Sequence, residues 1–176
     1  MNKKLKLWEL DRVSEEEFKG QKKFPLIVIL DDIRSLSNIG TFFRTADAFN
    51  VEKIYLCGIT ATPPHREIQK TALGATDSIE WEHKESIVEL VKELQSNNVH
   101  IISIEQTEQT TLLQDIHNLE DRKFALVLGN EVNGVNQEVI NLSDTVVEIP
   151  QFGTKHSLNV SVCAGVVLWE FAKRYL

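Results

Sequence analysis

Short apolar runs alternate with longer amphipathic stretches along this chain. Pro25-Leu-Ile-Val-Ile-Leu30 is rich in β-branched residues and has no polar interruption, the pattern of a strand buried on both faces of a parallel sheet. Residues 52–57, 99–104, 124–128 and 145–149 repeat that pattern, and residues 78–81 form a weaker sixth candidate. Helical periodicity falls between them, at residues 38–49 with Ser37 as N-cap, 84–95, 136–142 and 157–175. Strands alternating with helices of this length predict an α/β fold, a parallel sheet flanked by helices on both faces. Residues 59–66, with Pro63-Pro64 and several threonines, break both periodicities and read as a loop.

The first 23 residues are polar and helical in character, with Ser14-Glu15-Glu16-Glu17 forming a capping box ahead of Phe18. They are expected to form an arm (1–23) on a single domain (24–176). A chain of 176 residues can bury one sizeable core without disulfides or a structural metal. Cys57 and Cys163 each lie in or at an apolar run and read as reduced core thiols, which places the protein in the cytoplasm. The lysine-bearing N-terminus lacks a secretory apolar region, and no apolar stretch reaches the roughly 18 residues that cross a bilayer. The five histidines show no zinc spacing with the cysteines, so no metal is expected.

Charge narrows the choice of partner. With 19 basic and 26 acidic residues the net charge is −7, the wrong sign for holding a nucleic acid by bulk attraction. Any such contact must be local. The candidate basic clusters are Lys3, Lys4 and Lys6, then Lys19, Lys22 and Lys23, with Arg34, Arg44, Arg66, Lys70 and Lys155 scattered beside the loops; each also reads as an ordinary solvated charge.

Three segments follow strands, where open α/β sheets place ligands. The first runs from Leu30 to Arg44 and contains Asn38-x-Gly40-x-x-x-Arg44. Gly40 and Arg44 share one helix face, the glycine permitting close backbone approach and the guanidinium able to fork onto a phosphate. Alone, this is also the start of a helix with a surface arginine. The second, Leu128-Gly129-Asn130-Glu131-Val132-Asn133-Gly134, brackets a carboxylate with glycines, a pattern open to ligand binding or to a plain turn. The third runs from Ile149 to Gly165, through Ser157-Leu158-Asn159, into a helix apolar on nearly every side. Ser157 and Asn159 can cap that helix or serve a site at its mouth. Phe152 and His156 either stack a base or pack, and packing is the expectation.

In order and spacing the three segments resemble the motifs of the SpoU family of RNA ribose methyltransferases, within the SPOUT superfamily, over residues from Pro25 to the C-terminus. The resemblance implies a C-terminal trefoil knot, a homodimer, S-adenosylmethionine as cofactor and a ribose 2′-hydroxyl of tRNA or rRNA as methyl acceptor. Carried over by position, it makes Arg44, Asn38, Glu131, Ser157 and Asn159 the catalytic set, with Leu128, Gly129, Ile149 and Leu158 at the cofactor. A guanidinium stays protonated in proteins, so Arg44 is better suited to clamping a phosphate than to acting as a base. The N-terminal stretch is shorter than the separate RNA-binding domain of many rRNA-modifying relatives, and the chain ends within its last helix, which leans the substrate toward tRNA. The apolar last helix, with its small residues, is the expected dimer face, placing Arg44 and the N-terminal lysines beside the partner's cofactor loop. Two other readings compete: a dinucleotide-dependent dehydrogenase, disfavoured because no glycine-rich turn follows the first strand, and a catalytically inactive RNA-binding or assembly factor of the same fold.

Overall fold

The computed structural model describes residues 2–10, 12–155 and 157–176. Each apolar run becomes a strand: Phe24–Asp31 (β1), Val51–Cys57 (β2), His100–Ile104 (β4), Phe124–Gly129 (β6) and Thr145–Glu148 (β7). The weak candidate is displaced to Glu80–Lys84 (β3), and Thr111–Leu112 adds a short strand (β5). All pairs are parallel, in the order β3-β2-β1-β6-β4-β7-β5. The expected α/β architecture with a parallel sheet is therefore present.

Alternation along the central strands builds two cores. Leu26, Val28 and Leu30 of β1 and Phe124, Leu126 and Leu128 of β6 face the larger cluster, where helices Leu36–Ala48 (α2), Arg66–Ala72 (α3), Ala75–Ser78 (α4) and Val160–Ala172 (α7) supply Phe42, Phe43, Ile68, Ala75, Leu168 and Phe171. Ile27, Ile29, Ala125 and Val127 face the other side, under Ile87–Ser96 (α5) and Gln137–Leu142 (α6). Each fully buried side chain of this size stabilises the fold by about 1.5–3 kcal/mol. The alternation thus fixes the register: a one-residue slip would exchange the two sets.

Several boundaries differ from expectation. Ser35, not Ser37, caps α2, because its hydroxyl reaches the third helical N–H, that of Asn38. The helix expected from residue 84 begins at Ile87 behind a Ser86 cap, since residues 80–84 are claimed by pairing with β2. Helix α3 occupies part of the stretch that follows the proline loop, capped by the His65 ring accepting from the Glu67 N–H at 3.2 Å. Near the N-terminus, Leu7–Glu9 forms a 3-10 turn and Glu15–Gly20 forms α1 with the Ser14–Glu17 capping box in place; Phe18 is buried in the larger core. Among the described residues no helix is long and apolar enough to cross a membrane.

Gly40 shows why its position excludes a side chain. A β-carbon there would lie 2.2 Å from the Ile68 carbonyl oxygen and 2.1 Å from Thr71 Oγ1, so α2 and α3 touch backbone to backbone. That contact sets the first turn of α2, and with it Asn38, at the C-terminal end of the sheet.

Candidate active site

Strands β4, β6 and β7 lie side by side or one strand apart in the sheet, and the segments that follow them enclose a cavity of about 690 Å³. One wall is the turn 129–135 after β6. A second is residues 104–107 after β4, and a third runs from Glu148 to Ser157, Leu158 and Asn159 into the start of α7.

The β6 turn is tightly built. The Gly134 N–H donates to the Asn130 carbonyl at 3.0 Å, and Asn130 Oδ1 accepts from the N–H groups of Val132 and Asn133. Gly134 adopts φ +68°, the left-handed region that glycine occupies without penalty. A β-carbon on Gly129 would lie 2.0 Å from the Gly134 carbonyl carbon, so that glycine is required by the turn's own return path. Its role in closing the turn is prior to any role in admitting a ligand.

Glu131 projects from this turn, and its Oε1 accepts from Asn38 Nδ2 at 2.8 Å. The amide oxygen of Asn38, a residue only 8% exposed, accepts from Asn159 Nδ2 at 3.4 Å. Asn159 in turn caps α7, its Oδ1 accepting from the Ser161 N–H and hydroxyl at 2.9 and 2.7 Å. Three residues distant in sequence thus form one hydrogen-bonded chain from α2 through the turn to α7. Fixing both ends of the Asn38 amide leaves the planar group a single orientation.

The structure places the remaining sequence candidates as follows. Leu128, Gly129, Ile149 and Leu158 all line the cavity, as does Ser157, exposed and two residues before the α7 cap. Arg44 is not joined to them. It lies exposed on α2, about 9 Å along the axis from Asn38 and a third of a turn around it, and makes no hydrogen bond or ion pair among the described residues.

Sequence reasoning missed one wall: Glu105 and its neighbours follow β4, and the rule that ligands gather at C-terminal strand ends could have found them. One side-chain expectation changes. Phe152 is 97% exposed rather than packed; His156 lies outside the described residues. Cys163 is half-buried, packing against the larger core while also lining the cavity, and burial, with Glu105 nearby, pushes its thiol up to about 11. It is therefore a protonated, unreactive thiol at neutral pH. Both cysteines are free. Among the described residues no cluster of three or more His, Cys, Asp or Glu side chains is arranged to hold a metal ion.

The family model described as "SpoU rRNA Methylase family" matches residues 25–169. The chain is 32% identical over 156 residues to a 23S rRNA (guanosine-2′-O-)-methyltransferase, RlmB, of Neisseria meningitidis, covering 89% of this chain and 61% of that protein. It spans about three fifths of the length of the curated relatives it matches. Among solved structures, the A. aeolicus TrmH/SpoU tRNA modifying enzyme superposes with a TM-score of 0.80 at 23% identity, over 91% of this chain and 81% of that one. An AdoMet-bound rRNA methyltransferase from Sinorhizobium meliloti gives 0.79 at 26%, over 90% and 60%. With the matched region spanning all three walls of the cavity, the chain belongs to the SpoU rRNA methylase family.

Proposed function

We propose that this chain transfers a methyl group from S-adenosylmethionine to a ribose 2′-hydroxyl of tRNA or rRNA, and that it works as a homodimer in the cytoplasm. The observation that carries this reading is the cavity at the strand ends, with the Asn38–Glu131–Asn159 chain at its edge, in a member of this family. A volume of about 690 Å³ lies within the range of small-molecule sites, and its lining mixes apolar Leu128, Ile149 and Leu158 with the backbone of the Gly129 turn. Those residues fit an amphipathic nucleoside cofactor and would hold it. When bound, S-adenosylmethionine supplies an electrophilic methyl on a cationic sulfur. Residues 24–176 would form the methyltransferase domain, its C-terminal part threaded as the knot the family implies, with residues 1–23 as an arm.

Arg44, whose planar guanidinium can fork onto two oxygens, clamps a substrate phosphate and so positions the ribose. Its charge is unspent within the chain. Lys53, Lys84, Arg122, Lys123, Lys173 and Arg174 are ion-paired, whereas Arg34, Arg44, Arg66, Lys70 and Lys155 have no carboxylate partner among the described residues. On a protein of net charge −7, cations free of carboxylates supply the local attraction that RNA needs. The Asn38–Glu131–Asn159 chain, with Ser157, would present oriented polar groups to the reacting ribose, and the substrate phosphate or a water would take its proton.

The exposed face of α7 supports the dimer. Its Val162, Val166 and Trp169 are 54, 41 and 48% exposed, and their spacing of four and three places them on one face. Such a stripe is suited to a twofold partner, and α2 packs beside it through Phe49 and Trp169, whose ring centroids are 6.0 Å apart. Arg44, turned away from its own Asn38, would then serve the partner's cavity. The test is incorporation of labelled methyl from S-adenosylmethionine into bulk tRNA and rRNA, followed by nucleoside analysis. Label in 2′-O-methylated nucleosides is expected; cofactor binding without incorporation would favour the inactive RNA-binding factor.

A further inference from the structure

We propose that Asp31 and Glu105 are positioning residues for the methyl transfer, acting as a two-sided clamp that fixes the turn carrying Glu131. The inference rests on the proposed activity of the cavity. Strand β6 lies between β1 and β4, and its turn leaves the sheet between the ends of those two neighbours. Each neighbour ends on a carboxylate. Asp31, the last residue of β1 and the register partner of Gly129, accepts from the Asn136 N–H through Oδ2 at 2.8 Å. Glu105, just past β4, accepts from the Val135 N–H through Oε2 at 3.1 Å, while its Oε1 takes the N–H of Gln106 at 2.9 Å. Two consecutive backbone donors are thus held from opposite sides by two different strands.

A neutral acceptor would have been cheaper to bury. Asp31 is only 4% exposed, and burial raises its carboxyl above the ordinary range, opposed by the Asn136 hydrogen bond. A carboxylate kept at such a place has to contribute something, and what it contacts is the exit of the turn. The same holds on the other side: a β-carbon on Gly134 would lie 2.1 Å from Glu105 Oε2, so the carboxylate rests against the left-handed glycine itself. With Val135 and Asn136 pinned after it and Gly129 pinned before it, the turn has little freedom to shift Glu131. The position of Glu131 sets the Asn38 amide, and that amide meets Asn159. Displacements of about 1 Å at a reacting centre cost as much as a hundredfold in rate, and this is the quantity the clamp controls.

The experiment compares Asp31→Ala, Glu105→Ala, Asp31→Asn and Glu105→Gln in the full chain. Glu105 is half-buried, so Glu105→Ala carries the test should Asp31→Ala fail to fold. Two readouts are taken: kcat and KM for RNA, and hydrogen exchange of the Val135 and Asn136 amides in cofactor-free protein. The alanine variants should lose about ten- to a hundredfold in kcat at an unchanged KM. The amide they release should exchange roughly tenfold faster or more, as expected for loss of one charge-assisted hydrogen bond. The amide variants, which keep an acceptor oxygen, should recover most of both. Folded alanine variants with wild-type kcat would overturn the proposal, as would amide variants no better than alanine. A wild-type chain that methylates no RNA would strike the proposed activity instead, and the exchange data would still decide whether the carboxylates hold the turn.

Discussion

The turn after β6 and the loop after β7 face each other across one cavity and are built in opposite ways. In the turn, backbone donors and acceptors are matched within the segment and to Glu105 and Asp31, and both glycines sit where a β-carbon would strike another group. Across the cavity, residues 150–155 and 157–158 make no hydrogen bond among the described residues, Phe152 is 97% exposed, and a β-carbon on Gly153 would meet nothing within 4 Å. One wall is preorganised and the other has room to adapt. This difference suggests a division of labour in which the turn sets the geometry of Glu131 and Asn38, and the loop closes on what has been bound.

The sharpest contrast comes from the glycines. Gly129→Trp should abolish the folded state, because the side chain enters space held by the Gly134–Val135 backbone, and cofactor binding would be lost with it. Gly153→Ala should leave thermal unfolding unchanged, within about 0.5 kcal/mol. A stable Gly129→Trp protein would break the comparison outright.

Arg44 lies on neither wall, which separates binding from chemistry. Arg44→Ala should lose about a hundredfold or more in methyl transfer while holding S-adenosylmethionine within a factor of about two of wild type, as a positioning contact to RNA would. Arg44→Lys should not restore activity, since an ammonium lacks the planar fork that grips a phosphate in two contacts. Calorimetry with the cofactor and methyl incorporation measured side by side would check both halves.

A smaller effect is expected at the adaptable wall. Lys155 is exposed, so trypsin should cut after it in the cofactor-free protein and several-fold more slowly once S-adenosylmethionine is present. Equal rates would mean that the loop does not respond to the cofactor. Smallest of all, Phe152→Ala should not move the melting temperature measurably, because its ring buries nothing.

Much of this organisation was legible in the sequence because it follows from hydrophobic periodicity. The strands β1, β2, β4, β6 and β7 are apolar runs, α2 and α5 carry periodic apolar faces, and α7 is apolar on nearly every side. The elements missed are short or polar. Strand β5 has two residues, α4 has four, and α3 relies on a histidine cap that no propensity rule favours. Strand β3, Glu-Trp-Glu-His-Lys, reads as polar because it is an edge whose charges pair with Lys53 and with each other. At the site, Asn38, Glu131 and Asn159 stood out through their motif spacing, and tertiary structure brought them together. The carboxylates Asp31 and Glu105 did not, since an acidic residue ending an apolar run looks like any strand leaving the core. On α7, Ala164 is fully buried, so a charge there would damage the core, whereas Val166 lies on the exposed stripe and is the place for a charge that tests the dimer.

In the proposed dimer, a working site takes Asn38, Glu131 and Asn159 from one protomer and Arg44 from its partner. Subunit mixing tests it most directly. Arg44→Ala and Glu131→Ala proteins, each inactive alone, are unfolded, mixed in equal amounts, refolded and assayed for methyl transfer. If the arginine acts across the twofold axis, half of the dimers are mixed and each of these has one intact site, so activity should return to roughly a quarter of wild type. A mixture that forms mixed dimers yet stays as inactive as its components would contradict the account and return Arg44 to its own protomer's site.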